Sequence, residues 1–85
     1  MLTEFRTVAE RDAAWIARAV RFTASVHFER RYWTDEFDRL ADAGAAAHNF
    51  ERMLAAAGYP AKRAMVYAVT AEGHSALVPR EQWAG

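Results

Sequence analysis

Cysteine is absent from the 85 residues, which excludes disulfides, thiolate nucleophiles and zinc-thiolate sites and suits a reducing cytoplasm, where we expect the protein to act. The net charge is zero, so no long-range field attracts nucleic acid or an anionic membrane. No apolar run has the length of a membrane span or of a signal-peptide core, so we expect neither. The few glycines are scattered and form no phosphate-binding loop: Gly44, Gly58, Gly73 and Gly85.

The remaining composition is that of a folded globular domain. Hydrophobic residues make up 53% of the chain and charged residues 26%, which argues against intrinsic disorder. A chain of this length has room for one hydrophobic core, so we predict a single domain over residues 1–85. Such a small domain buries only roughly 60 to 70% of its unfolded surface, and a homodimer would bury more.

The first third of the chain changes its apolar period from helical to alternating. Thr7 and Glu10 fit a capping box, which predicts a helix over Val8 to Ala19 with Trp15 facing the core. Apolar and polar residues then alternate from Arg21 to Glu29, which predicts a strand with one buried face.

The segment from Arg30 to Glu36 has two interpretations. It can continue as a turn and a second strand, or as an irregular lead into the next helix. We favour the hairpin, because two aromatic residues and a threonine follow one another there.

The clearest helical pattern lies in the middle of the chain. Apolar residues recur there at steps of three and four: Leu40, Ala43, Ala47, Phe50 and Leu54. This predicts a helix from Asp38 to Ala57 whose small Gly44 lets the helix axis lie close to a sheet. Gly58 and Pro60 supply a left-handed cap and a stop.

Two further strands complete the predicted fold. Ala64 to Thr70 and Ser75 to Val78 pair across a loop in which Gly73 takes a positive φ. The sequence therefore predicts an α+β fold in the order α-β-(β)-α-β-β, a small antiparallel sheet of three to four strands covered by two helices. The strand after Pro60 is a candidate sheet edge through which two copies could pair.

Residue patterns that carry catalysis or metal binding are weak in this chain. His27 and Glu29 share one strand face, the geometry of a base and its orienting carboxylate, but alternating polar residues are also typical of a solvent-facing strand. His48 and His74 lack the spacing of a metal site. We therefore predict a protein that is not an enzyme and has no cofactor and no metal.

The residues most typical of a binding surface follow the first strand. Arginines and large aromatics dominate binding hot spots, and basic residues recur before the third strand. The predicted partner-binding residues are Arg30, Arg31, Tyr32, Trp33, Lys62 and Arg63. Interleaved carboxylates at Asp35, Glu36 and Asp38 favour a protein partner over a polyanion. The alternative is a nucleic-acid-binding regulator that stacks bases on the aromatics and holds phosphates with the basic residues.

The stretch from Arg63 to Val78, with the alanine-rich helix before it, resembles small proteins of high-GC bacteria and their prophages. Small size, zero net charge, α+β order and the lack of catalytic motifs also make the chain similar to the anti-CRISPR inhibitors of phages and mobile elements. The resemblance covers about the last half of the chain and assigns no role to any residue. It implies a protein that binds a CRISPR effector complex and blocks target-DNA recognition without catalysis.

Overall fold

The computed structural model describes residues 5–84 as two α-helices and one four-stranded antiparallel sheet, which confirms the predicted α+β class. The elements are, in chain order, α1 (Val8–Ala17), β1 (Ala19–Phe28), β2 (Arg31–Phe37), α2 (Leu40–Ala56), β3 (Met65–Thr70), β4 (Ser75–Leu77) and a short 3₁₀ turn (Arg80–Gln82). The strands lie in the order β2-β1-β3-β4. The described residues extend over 47 × 24 × 21 Å.

Helix α1 begins where the capping residue predicts and ends earlier than predicted. The Thr7 hydroxyl accepts a hydrogen bond from the Glu10 N–H at 3.1 Å, which caps the first turn. The helix stops at Ala17 because Ala19 already belongs to β1. The prediction that Trp15 faces the core is wrong: its ring stacks on His74 in the β3–β4 turn, with centroids 4.6 Å apart.

The favoured hairpin is present as β1 and β2. Its two-residue turn consists of Glu29 and Arg30, both with positive φ, at 46° and 65°. Such a type I′ turn matches the twist of the flanking strands and places Phe28 opposite Arg31. Neither turn residue is a glycine or asparagine, so the turn carries a backbone strain of about 1 kcal/mol per residue.

Strand β3 is central in the sheet, which corrects the expectation of an edge at this strand. It pairs with β1 on one side and with β4 on the other. After α2 the chain returns to the sheet, and β3 pairs with the edge of β1 that β2 does not occupy. The two edges of the sheet are therefore β2 and β4, and β4 has only three residues.

The core lies between α2 and one face of the sheet. Small residues of α2 meet the inward residues of β1 and β3, and together they form one buried cluster. Its members are Ala24, Val26, Ala43, Ala47, Leu54, Ala64, Val66, Ala68, Val78 and Trp83. Many of these side chains are small, so the helix and the sheet approach closely.

The C-terminal tail folds back onto α2 through Trp83, whose side chain is 4% exposed. Its indole N–H donates to the Val78 carbonyl at 3.3 Å. Gly44 was expected to bring α2 close to the sheet, but it is Trp83 that occupies this space. A Cβ atom on Gly44 would lie 2.7 Å from both the Cβ and the carbonyl oxygen of Trp83.

The end of α2 follows the predicted glycine cap. Gly58 has a φ of 101°, and the Tyr59 N–H donates to the Leu54 carbonyl at 2.8 Å. This bond and the Gly58 N–H bond to Ala55 form a Schellman motif. The chain leaves the helix in a defined direction and carries Tyr59 toward the β1–β2 turn.

Candidate functional site

The predicted binding residues do not form a single surface, because Tyr32 and Trp33 lie on opposite faces of β2. Tyr32 is 52% exposed, and its ring lies 4.5 Å from that of His27. Trp33 packs on the core cluster and lies 6.0 Å from the Phe28 ring. Adjacent strand residues always point to opposite sides, so Trp33 belongs to the core side and only Tyr32 faces solvent on the other side.

The sheet face opposite α2 carries a shallow depression of about 400 Å³. We call this surface the open face. It is lined by Thr23, His27, Tyr32, Met65, Tyr67, Val69, Gly73 and Ser75. No lining residue is an acid, a lysine or an arginine, and the side chains present tyrosine rings, a thioether and short hydroxyls to solvent. This mixture is typical of the centre of a protein interface.

Ser25 lies in the middle of this face, between Thr34 on β2 and Met65 on β3. It is fully buried, and within residues 5–84 its hydroxyl has no hydrogen-bond partner. A buried hydroxyl without a partner costs about 1 to 3 kcal/mol. The larger neighbours cover Ser25 without satisfying it, so this part of the open face is less stable than its packing alone would suggest.

Basic residues gather at the hairpin end of the sheet. The register places the start of β3 beside the end of β1, so the loop that carries Lys62 and Arg63 adjoins the turn that carries Arg30. Tyr59 joins the two segments: its hydroxyl donates to Glu29 at 3.0 Å, and its ring meets Phe28 edge-on at 4.4 Å. The bond to Glu29 also raises the pKa of Tyr59.

Glu51 on α2 fixes the same loop from the other side. Its carboxylate, 12% exposed, accepts from the Ala64 N–H at 2.8 Å and from the Arg80 guanidinium through both terminal nitrogens. Burial by itself would raise the pKa of Glu51, but the bonds from Arg80 and Ala64 and the charges of Arg80 and Arg63 outweigh it and lower the pKa. The start of β3 is thereby held against α2 and the tail.

The charges around the open face are unevenly satisfied. Arg21 and Glu36 form an ion pair at 3.2 Å near the far end, while Glu29 is held by Tyr59. Among residues 5–84, Arg30 and Lys62 have no ion-pair partner. The hairpin end therefore carries unbalanced positive charge, although the whole chain is neutral.

His27 and Glu29 do not act on one another in the structure. The His27 ring packs against Tyr32, while Glu29 has left the strand for the turn and accepts from Tyr59. The dyad geometry that strand alternation suggested is therefore lost, because β1 ends at Phe28.

Sequence reasoning missed the β3 side of the open face, formed by Met65, Tyr67 and Val69. The Tyr67 hydroxyl donates to the Met65 sulfur at 3.3 Å, and both side chains are half-buried. A signal was present: in this strand the residues that point to either face of the sheet are mostly apolar. Such a strand is predicted to be covered on both faces. The adjoining polar alternation of β1 hid that signal.

Three observations bear on the wider class of the protein. Across the described range, no helix is both long and apolar enough to span a membrane. The histidine and carboxylate side chains of residues 5–84 form no cluster of three that could hold a metal ion. Comparisons with protein-family models, with curated proteins and with solved structures gave no match.

Proposed function

We propose that this chain is a non-enzymatic binding protein whose open face docks a protein partner. The observation that carries the proposal is the depression lined by Tyr32, Tyr67, Met65 and Val69, which exposes aromatic and apolar surface. Tyrosine supplies a large contact area at low cost in side-chain entropy, and it is enriched at binding hot spots.

The charges define the complementary partner surface. A partner that covers the open face meets an uncharged centre, and it meets unbalanced positive charge at the hairpin end near Arg30 and Lys62. A protein surface with an apolar centre and carboxylates on one side complements this pattern. An adjoining partner group could also hydrogen-bond the Ser25 hydroxyl if Met65 moved aside.

The more specific form of the proposal follows the resemblance to anti-CRISPR inhibitors. In this form the partner is a CRISPR effector complex, and docking on the open face blocks recognition of target DNA by occlusion. The test is a DNA-binding assay with the purified effector complex. Added protein should abolish target binding, and a Tyr67→Ala variant should require a much higher concentration.

A second candidate function is binding of single-stranded nucleic acid. It is favoured by the rings of His27, Tyr32 and Tyr67 on one sheet face, since bases stack on such platforms. It is disfavoured by the lack of a basic track across that face, where Arg21 is neutralised by Glu36. Phosphate contacts supply most of the affinity of such proteins, so we rank this function second.

The first experiment is a pull-down from a bacterial lysate that contains CRISPR machinery, with and without nuclease. Wild type is compared with Tyr67→Ala on the open face and with Met53→Ala on α2, a control side chain that is 55% exposed. We expect wild type to capture a protein partner that resists nuclease treatment. The captured amount should fall by about tenfold or more for Tyr67→Ala and stay unchanged for Met53→Ala. Partners that vanish with nuclease would move the function to nucleic-acid binding.

Salt dependence separates the two functions for any purified partner. A phosphate-bound complex should weaken steeply between about 50 and 200 mM salt. A protein interface with an uncharged centre should weaken much less over the same range. Equal loss in the Tyr67→Ala and Met53→Ala variants would remove the open face from the proposal.

A further inference from the structure

The outer edge of β2 is a seven-residue strand edge to which nothing pairs within residues 5–84. Long open edges are template sites for strand addition, and most proteins shorten or cover them. The opposite edge, β4, is only three residues long. The exposed hydrogen-bonding groups of the sheet are therefore concentrated along β2.

The hairpin turn determines which backbone groups face outward. A two-residue turn closes on a pair that exchanges both hydrogen bonds, here Phe28 and Arg31. Along the ladder the bonded pairs alternate, so Trp33 and Asp35 also bond to β1. The outward N–H and C=O groups belong to the intervening residues, Tyr32, Thr34 and Glu36.

The two ends of this β2 edge carry charges of opposite sign. The turn end carries Arg30 and Arg31, and the other end carries Asp35 and Asp38. All four are exposed, and in the described part of the chain none of them has an ion-pair partner. Arg39 follows Asp38, so the acidic end is not uniformly negative. An antiparallel second copy nevertheless presents its acidic end to the basic end of the first.

We infer that β2 pairs antiparallel with β2 of a second copy, centred on Thr34, so that two sheets join into one of eight strands. Thr34 is the midpoint of Arg31–Phe37, so this register pairs the whole strand. It places Arg30 opposite the partner copy's Asp38 and Arg31 diagonal to its Asp35, within reach of long side chains.

The inference agrees with the outward backbone groups. With Thr34 on the two-fold axis, Thr34 exchanges both backbone hydrogen bonds with Thr34 of the second copy. Tyr32 exchanges both with Glu36 of the second copy. Every outward group of β2 is then satisfied. Arg31 and Asp35 point to the helix side, where isolated charges normally discourage strand addition. In this register Arg31 lies opposite the second copy's Phe37 and diagonal to its Asp35, and this diagonal pair of opposite charges selects a second copy over an unrelated apolar strand.

The dimer extends the proposed docking surface but does not depend on it. A two-fold axis perpendicular to the sheet keeps both open faces on the same side. The two depressions then lie on one continuous surface. Loss of the dimer and loss of partner binding are measured separately, by mass and by capture.

The test is the solution mass of the full chain by light scattering or sedimentation, at concentrations up to about 100 µM, where dimers of micromolar Kd form. We expect twice the chain mass of 9.6 kDa. Thr34→Pro removes an outward N–H and should give a folded monomer, since proline is tolerated where an edge N–H faces solvent. Thr34→Val keeps the N–H and should remain a dimer.

Charge reversal tests the register. Asp35→Arg and Arg31→Asp should each raise the dimer Kd by about tenfold or more, and the double variant should restore it. Circular dichroism confirms that each variant is folded. A wild-type monomer at about 100 µM, or a dimer that survives Thr34→Pro and both reversals, would overturn the inference.

Discussion

Replacing Gly44 by alanine should destabilise this protein, although alanine is the better helix former. In an exposed helix position the change would stabilise by about 1 kcal/mol. At Gly44 the new Cβ lies 2.7 Å from the Cβ and the carbonyl oxygen of Trp83, closer than such atoms approach in folded proteins. One of the two contacts is with backbone, so Trp83 has to move as a residue and not only by a rotamer change.

The magnitude follows from what holds Trp83. Its side chain is 4% exposed, bonds to the Val78 carbonyl, meets the His48 ring at 5.1 Å and lies under the Arg80 guanidinium at 4.5 Å. Forcing atoms into a packed site costs about 1 to 3 kcal/mol, and two contacts at 2.7 Å, one of them with backbone, place Gly44 in the upper part of that range, at about 2 to 3 kcal/mol. After subtracting the helix gain, we expect Gly44→Ala to lower the free energy of unfolding by about 1 to 2 kcal/mol.

Thermal unfolding followed by circular dichroism measures this change, which corresponds to a drop in Tm of roughly 5 to 15 °C for a domain of this size. The matched control is Ala45→Gly at the next, exposed position, which should lose only the helix propensity of about 1 kcal/mol. The indole N–H resonance of Trp83 should shift in Gly44→Ala and stay in place in the control. A Gly44→Ala variant more stable than wild type would refute the close contact.

Two further predictions concern the loop before β3 and the hairpin turn. Glu51→Gln should lower the free energy of unfolding at pH 7 by about 1 to 2 kcal/mol, because charge-assisted bonds to Arg80 and Ala64 weaken. Since folding lowers the pKa of Glu51, its contribution is complete above the ordinary value of 4.5 and is lost as pH falls below it. Urea unfolding at pH 7 and pH 3 should show the difference from wild type shrinking at the lower pH, and a constant difference would contradict it. Arg30→Gly should raise Tm by about 4 to 8 °C, because glycine relieves the positive φ of 65°. Ser75→Gly in β4 is the control, which should lower Tm; a loss of stability in Arg30→Gly would exclude turn strain.

Features that depend on local sequence could be predicted. The hydroxyl of Thr7, the alternation in β1 and the glycine at position 58 each act on neighbouring residues, and the structure confirms the cap, the strand and the left-handed helix end. The hairpin was also predicted. Its turn has no glycine, so only the aromatic residues after it indicated the second strand.

Features that depend on pairing between distant segments could not be predicted. The central place of β3 follows from its pairing with β1 rather than from its own composition. The contacts of Gly44 with Trp83 and of Glu51 with Arg80 join residues about thirty or more positions apart, and no pattern in the chain indicates them.

The candidate site shows the same division. Strand alternation alone separates Tyr32 from Trp33, and the choice of which one faces solvent required the register with β1. Lys62 and Arg63 could be named from sequence as basic residues. Their position beside Arg30 followed only from the β1–β3 pairing and from the bond between Tyr59 and Glu29.

Site-specific photo-crosslinking tests the central claim, that the open face docks a protein partner, most directly. A photoreactive phenylalanine analogue replaces Tyr67 on the open face or, in the control, Met53 on α2, and the crosslinked species are identified by mass spectrometry after nuclease treatment of a lysate that contains CRISPR machinery. The account predicts a discrete protein adduct from position 67 and none from position 53. Adducts from position 53 alone, or only nucleic-acid adducts from position 67, would contradict it.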